Sequence, residues 1–455
     1  MPVCNCDTGS LESIEHMTKY DEQTISRRGL LGSGAIALGL LTGAASGLHA
    51  EELFPEEAVR PQDAKAAVPV TVAVIGLGDR GREILSSLSY APGVTVAYVC
   101  DTYANAHKKA LEIFPKATAV TEYKQVLDDP KAQGVFVATP THLHKQIVLD
   151  ALAAGKHVYC EMPLAHTPED AKGIALAAKA APKLVFQSGL QYRTNPQHHH
   201  VLKFVKTGAL ARVAQAKAVW HKKTSWRRIA PTDERQRELN WRLDKALSPG
   251  LLGEIGVHQI DVASWFLNKL PVAVHGFGGI LAWNDGRQVQ DTVQAVLEYP
   301  GDVHLAYDAT LANSFDGSYE LFQGTDAAVM LRDVRAWMFK EADARALGWE
   351  VYAYKEKIGD ETGIALVADA TKLLAEGKEP GKNRDTDPRK TPLYFACETF
   401  ANDIRVAGGA AKSEEDKDWS SGYAEGYTAT VVALKANEAV VSGSKIAFTP
   451  EMLTI

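Results

Sequence analysis

Between residues 68 and 188, short apolar runs alternate with amphipathic stretches, a pattern that predicts a parallel sheet flanked by helices. Val68–Ile75 is almost wholly apolar and β-branched, so it reads as a strand buried on both faces. A helix through Leu88 follows, then strand Val94–Cys100, helix Ala104–Phe114, strand Gly134–Ala138 and helix Lys145–Ala154. Strand His157–Cys160, helix Pro168–Ala180 and a further strand, Leu184–Ser188, complete the series. Beyond about Gln191 the runs lengthen. Val213–Trp220, Val272–Ala282, Val293–Tyr299, Val303–Ala309 and Tyr319–Gln323 predict a largely antiparallel sheet, closed by helices Gly363–Leu374, Leu393–Val406 and Tyr423–Val441. The expected fold class is α/β: a doubly wound Rossmann sheet, then an α+β domain.

The loop after the first strand reads Gly76-Leu77-Gly78-Asp79-Arg80-Gly81, a G-x-G-x-x-G between strand and helix. Gly76 permits the tight turn, Gly78 lets backbone approach a pyrophosphate, and Gly81 allows close helix–strand packing. The second strand ends at Asp101, where an acidic residue grips ribose hydroxyls and disfavours a 2′-phosphate. NAD is therefore the expected cofactor, with NADP admitted by the nearby Arg80 and Arg82. In such sheets the ligand lies past the carboxyl ends of the strands. Thr139-Pro140-Thr141-His142-Leu143-His144 and Glu161-Met162-Pro163 occupy those places. The expected division is residues 68–190 for the dinucleotide and 191–455 for substrate and oligomerisation.

The first fifty residues read differently. Ser26-Arg27-Arg28-Gly29-Leu30-Leu31 precedes an uncharged, Gly- and Ala-rich stretch ending at Ala50, the pattern of a twin-arginine export signal. An uncleaved tether is the competing reading. Cleavage is expected near Ala50, with 51–67 as linker. The acidic Met1–His16 segment makes Met17 an alternative start to Met1. The expected location is periplasmic or exported, with no membrane association after cleavage. A net charge of −7 without a long basic tract argues against nucleic acid. Of five cysteines, Cys4 and Cys6 fall in the leader, so the folded part has no disulfide framework.

These motifs, with Gly189-Leu190-Gln191-Tyr192-Arg193 and Gly253-Glu254-x-Gly256-x-His258-x-x-Asp261, resemble the glucose–fructose oxidoreductase/inositol dehydrogenase (Gfo/Idh/MocA) family over roughly residues 68–450. The resemblance implies NAD(P)-linked redox chemistry on sugars, cyclitols or their derivatives. It also implies pairing of subunits through the outer face of the second sheet. One departure stands out. The family usually carries Glu-Lys-Pro, and this chain has Met162, whose thioether neither accepts nor releases a proton.

Glu254, His258 and Asp261 fall at i, i+4 and i+7, so helical spacing puts them on one face. An imidazole between two carboxylates gains basicity and a fixed tautomer, which suits a general base. The resemblance places the catalytic pair here, giving His258 the base and Glu254 its orienting partner. A polar cluster that only stabilises the helix is the plain alternative. Tyr192, Arg193, Trp226, Trp241 and Asp261 are the candidate substrate residues, though tryptophan and tyrosine are often simple packing. Lys222, Lys223, Arg227 and Arg228 read as a solvated basic stretch. His198-His199-His200 reads as surface, since adjacent helical positions chelate poorly, and no metal is expected. Three functions stay open: net sugar or glycoside oxidoreduction, net glycoside cleavage through transient oxidation, and non-catalytic sugar binding.

Overall fold

The computed structural model describes residues 68–332, 335–348, 350, 353–368, 387–412 and 418–455. The twin-arginine segment, its expected cleavage point, the 51–67 linker and Cys4 and Cys6 lie outside those residues. The first apolar runs form β1 (Val70–Ile75), β2 (Val94–Cys100), β3 (Thr118–Val120), β4 (Gly134–Val137), β5 (His157–Cys160) and β6 (Phe186–Ser188). They pair in parallel in the order β3-β2-β1-β4-β5-β6. The order reverses between β1 and β4, and a crevice opens at such a switch point. β3 escaped the sequence pattern because three residues carry too little periodicity to register.

The second sheet has ten strands: β7 (Val213–His221), β8 (Ala273–Gly279), β9 (Thr292–Tyr299), β10 (Val303–Thr310), β11 (Ser318–Gly324), β12 (Ala327–Arg332), β13 (Arg335–Lys340), β14 (Lys355–Ile358), β15 (Glu361–Ala365) and β16 (Ile446–Ala447). Their order is β14-β15-β13-β12-β11-β7-β10-β9-β8-β16. β7 and β10 run parallel, in register from Gln215 opposite His304 to His221 opposite Thr310, and the other pairs are antiparallel.

Three expectations need correcting. The start of the predicted helix Gly363–Leu374 is instead strand β15, and residues 369–374 lie outside the described ones. Ile358 pairs with Glu361 across Gly359-Asp360, with Gly359 at φ +63°, so a two-residue hairpin turn overrides local helix propensity. Helix Pro392–Ala407 exists, but it belongs to the first sheet's core and not to the second domain. Leu393, Ala396, Cys397, Phe400 and Ile404 pack there, with the Phe400 ring centroid 5.0 Å from Phe136 and 5.9 Å from Tyr159. His198 is buried, not surface: its Nδ1 faces the Asn195 amide at 3.0 Å and its ring stacks on Tyr192 at 4.8 Å. Among the described residues no helix is long and apolar enough to cross a membrane.

Burial holds the imidazoles of His198 and His144 at about 3 and about 4. The unfolded chain takes up those protons at about 6.5, so below that pH it binds more protons than the folded one. Stability is therefore lost as pH falls from about 6.5 toward 4. Melting temperature should drop steadily over that range, and His198→Gln should flatten the slope. An unchanged slope in that variant would contradict the burial account.

Candidate active site

The glycine loop is built by close approach. Gly76 sits at φ +94°, and a Cβ there would lie 2.6 Å from the Ala138 carbonyl. A Cβ on Gly81 would lie 1.9 Å from Gly76 O. Gly78 has nothing within 4 Å of a Cβ, and helix Asp79–Ser89 starts there with no side-chain cap. Open backbone at an uncapped helix N-terminus fits a pyrophosphate. Asp101 is held at the end of β2, its Oδ2 accepting from Leu77 N and its Oδ1 from Tyr103 N, both at 2.8 Å. These residues fit a dinucleotide whose ribose meets Asp101. NAD should bind more tightly than NADP, and Asp101→Ser should narrow the gap; calorimetry giving equal affinities for the unmodified protein would refute this.

Arg80 does not stand free beside Gly78. Its Nε pairs with Glu161 Oε1 at 2.8 Å and its Nη2 donates to Gln191 Oε1 at 2.7 Å, tying the glycine loop to the ends of β5 and β6. Asp79 instead pairs with Arg82 and Arg228. Met162 is buried and joined to Pro163 by a cis peptide bond. His144 lies between Thr139 O at 2.9 Å and Pro163 O at 3.2 Å, so it ties the loops after β4 and β5 together. A neutral imidazole has one N–H, and the shorter contact to Thr139 claims it. Pro140 leads into the turn Thr141–Leu143. His142 lies 6.0 Å, ring to ring, from Trp241, and burial lowers its pKa.

Around Glu254 the chain makes a π-turn, Leu252–Gly256, before continuing as helix Val257–Leu267. Such turns widen a helix and are frequent at functional sites. The carboxylates do not clamp His258 as spacing suggested. Glu254 Oε1 accepts from Thr141 Oγ1 at 2.9 Å and Oε2 from Arg242 Nε at 3.1 Å. Burial raises the Glu254 pKa, and Arg242 and Thr141 oppose the rise. Asp261 takes both Nε and Nη2 of Arg193, each at 2.8 Å. Two nearby cations outcompete a weaker imidazole for the carboxylates. His258 is left partly exposed, its Nδ1 without a hydrogen-bond partner and the Tyr192 ring 6.4 Å away, edge-on. Burial first, and the Arg80 charge second, hold its pKa at about 3.

The structure thus links Thr141, Glu254, Arg242, Trp241 and His142 in one contact chain. It links Tyr192, His258, Arg193 and Asp261 more loosely. The Arg242 guanidinium lies 4.5 Å from the Trp241 ring and 5.9 Å from Trp226. Sequence reading missed Arg242, Gln191 and Thr141 as partners. Only the adjacency of Arg242 to Trp241 could have signalled the first. Chemically, the arrangement offers a neutral imidazole and an acid tied to a guanidinium, with the indole of Trp241 buried beside them.

Comparison with known proteins matches both domains of the chain. The Gfo/Idh/MocA profile described as an oxidoreductase family with NAD-binding Rossmann fold matches residues 70–188. The Gfo/Idh/MocA C-terminal domain profile matches 198–329. Levoglucosan dehydrogenase of Pseudarthrobacter phenanthrenivorans is 29% identical over 44% of this chain, a match spanning 52% of that enzyme's length. The 2,7-anhydro-N-acetylneuraminate hydratase of Escherichia coli is 24% identical over 76% of this chain and 88% of its own. A solved levoglucosan dehydrogenase complex with NADH and levoglucosan superposes with a TM-score of 0.65 at 19% identity, covering 83% of this chain and 99% of that one.

Proposed function

We propose, since this chain belongs to the Gfo/Idh/MocA oxidoreductase family, that it is an NAD-dependent oxidoreductase acting on a sugar, cyclitol or glycoside. The observation that carries the reading is His258. It is a neutral, half-buried imidazole close to Tyr192, its Nδ1 buried and without a hydrogen-bond partner, while both neighbouring acids are tied to arginines. NAD, when bound at the glycine loop, supplies a hydride acceptor. His258 takes the proton of the reacting hydroxyl. Thr141 and Arg242 keep the Glu254 carboxylate turned away from that proton, and the buried Trp241 ring packs on the Arg242 guanidinium.

Met162 favours a second reading, net glycoside cleavage, because the buried thioether cannot serve the proton transfer expected of the family's lysine. A relative named as a hydratase fits the same direction. In this reading transient oxidation acidifies the neighbouring C–H, elimination expels the leaving group, water adds to the resulting unsaturated ketone, and return of the hydride to its carbonyl would leave the cofactor as NAD. Stoichiometry decides. Free sugars and aryl glycosides are assayed together for NADH and released phenol. Accumulating NADH supports net oxidation, phenol release with substoichiometric NAD supports cleavage, and neither product leaves sugar binding alone.

Export through Arg27-Arg28 and subunit pairing through the second sheet belong to the same proposal. Lys replacements at both arginines should retain the protein inside the cell, and light scattering reports the subunit number. Sequencing an exported form should find a terminus near Glu51; intact Met1 in a cytoplasmic protein would contradict it.

A further inference from the structure

Between β7 and the turn at Trp241, the chain leaves the second sheet and crosses to the dinucleotide domain. Its arm is anchored at the base: Lys222 N donates to Thr310 O at 3.0 Å and Thr224 N to Leu311 O at 3.1 Å. Arg227 Nε pairs with Asp285 at 3.2 Å. Asn240 then closes a loop on Arg228, accepting from its N–H at 2.7 Å and donating to its carbonyl at 3.0 Å. The tip, 229–239, contains helix Asp233–Leu239, which buries none of its residues. No apolar core holds that tip in place. What reaches the first domain is charge: Arg228 pairs with Asp79 at the start of the glycine-loop helix. The Arg235 guanidinium stacks on Tyr103, 4.2 Å from its centroid. Tyr103 N is the donor that positions Asp101.

Both contacts bracket the dinucleotide site, one at the helix N-terminus and one beside the ribose acid. Arg228 and Asp79 are each more than half exposed, so their attraction is weak and readily exchanged for a pyrophosphate. Arg235 is only about 20% exposed, pairs with Glu238 at 2.9 Å through Nη1, and leaves its Nε, itself buried, without a partner. A planar guanidinium with spare N–H capacity against an aromatic ring suits a purine base and its ribose.

We propose that Arg235 and Arg228 are dinucleotide-binding residues delivered by the second domain, holding NAD at its adenosine and pyrophosphate so that it stays bound between turnovers. The inference rests on NAD binding at the glycine loop and not on which net reaction follows. It is tested by loading the full chain with NADH, chasing with excess NAD, and following the loss of energy transfer from tryptophan to NADH. Arg235→Ala and Arg228→Ala should each speed release about tenfold or more. Lys223→Ala, an exposed position on the same arm, should stay within about twofold. Acid extraction after dialysis should find nucleotide with the unmodified chain and little with the double variant. Melting of the unliganded variants should change little, because no residue of helix Asp233–Leu239 is fully buried, and Arg235→Gln repeats the test with a polar side chain. Release unchanged in both arginine variants, or a change confined to association, would overturn the proposal.

Discussion

Replacing His258 by alanine should lower turnover about 10²- to 10³-fold while NAD affinity stays within about twofold. General-base catalysis contributes about 10²–10⁴-fold, most when the base titrates near the working pH. His258 is held at about 3 by burial and the Arg80 charge, which places it in the lower part of that range. The loss corresponds to roughly 3–4 kcal/mol of transition-state stabilisation. The same depression fixes the pH dependence. An imidazole at about 3 is unprotonated at every pH above about 4, so the rate should show no acidic limb near 6.5. A limb at 6.5 that vanishes in the variant would mean that the imidazole titrates normally. Near-normal turnover in His258→Ala would move the role to Tyr192 or Lys222, since His144 is buried against two carbonyls. Glu254→Gln should be milder, since its partners are Thr141 and Arg242 and not the imidazole.

Gly81→Ala should abolish useful dinucleotide binding, weakening it more than about 100-fold, and should lower the melting temperature of the unliganded protein. The added Cβ would lie 1.9 Å from Gly76 O and 2.9 Å from Gly76 C, backbone atoms that have no rotamer in which to retreat. Gly76 is itself pinned at φ +94° against Ala138 and Thr139, so the strain cannot pass onward. Overpacking usually costs about 1–3 kcal/mol, and a rigid neighbour puts this site at or above the upper end. Gly78→Ala separates the two effects. Open space surrounds that position, so folding should be untouched while binding falls, because the new methyl occupies the approach of the pyrophosphate. Calorimetry and thermal melting on both variants give the comparison. Loss of affinity in Gly81→Ala without loss of stability would remove the packing explanation.

The parallel sheet was legible because period and punctuation agreed. Val94–Cys100, His157–Cys160 and Pro168–Ala180 occur with the bounds read from the pattern. Gly76 and Gly81 lie where a Cβ would meet neighbouring backbone within 3 Å. Other features rest on tertiary competition, which spacing does not encode. Glu254, His258 and Asp261 do lie in one segment, yet Arg242 and Arg193 capture the two acids from outside it. His198 read as surface because three adjacent histidines chelate poorly, and only the fold brings Tyr192 and Phe266 against its ring. Helix Pro392–Ala407 carries a clear amphipathic signal, but nothing local tells which sheet it covers.

That last helix sets a schedule for synthesis. The first sheet is complete once Ser188 has been made, but the cover over Phe136 and Tyr159 is encoded about 200 residues later. At about 5–20 residues per second the nascent sheet waits roughly 10–40 s with that aromatic surface bare. A fragment ending near residue 190 should therefore aggregate when expressed alone, and supplying residues 387–412 in trans should be the change that rescues it.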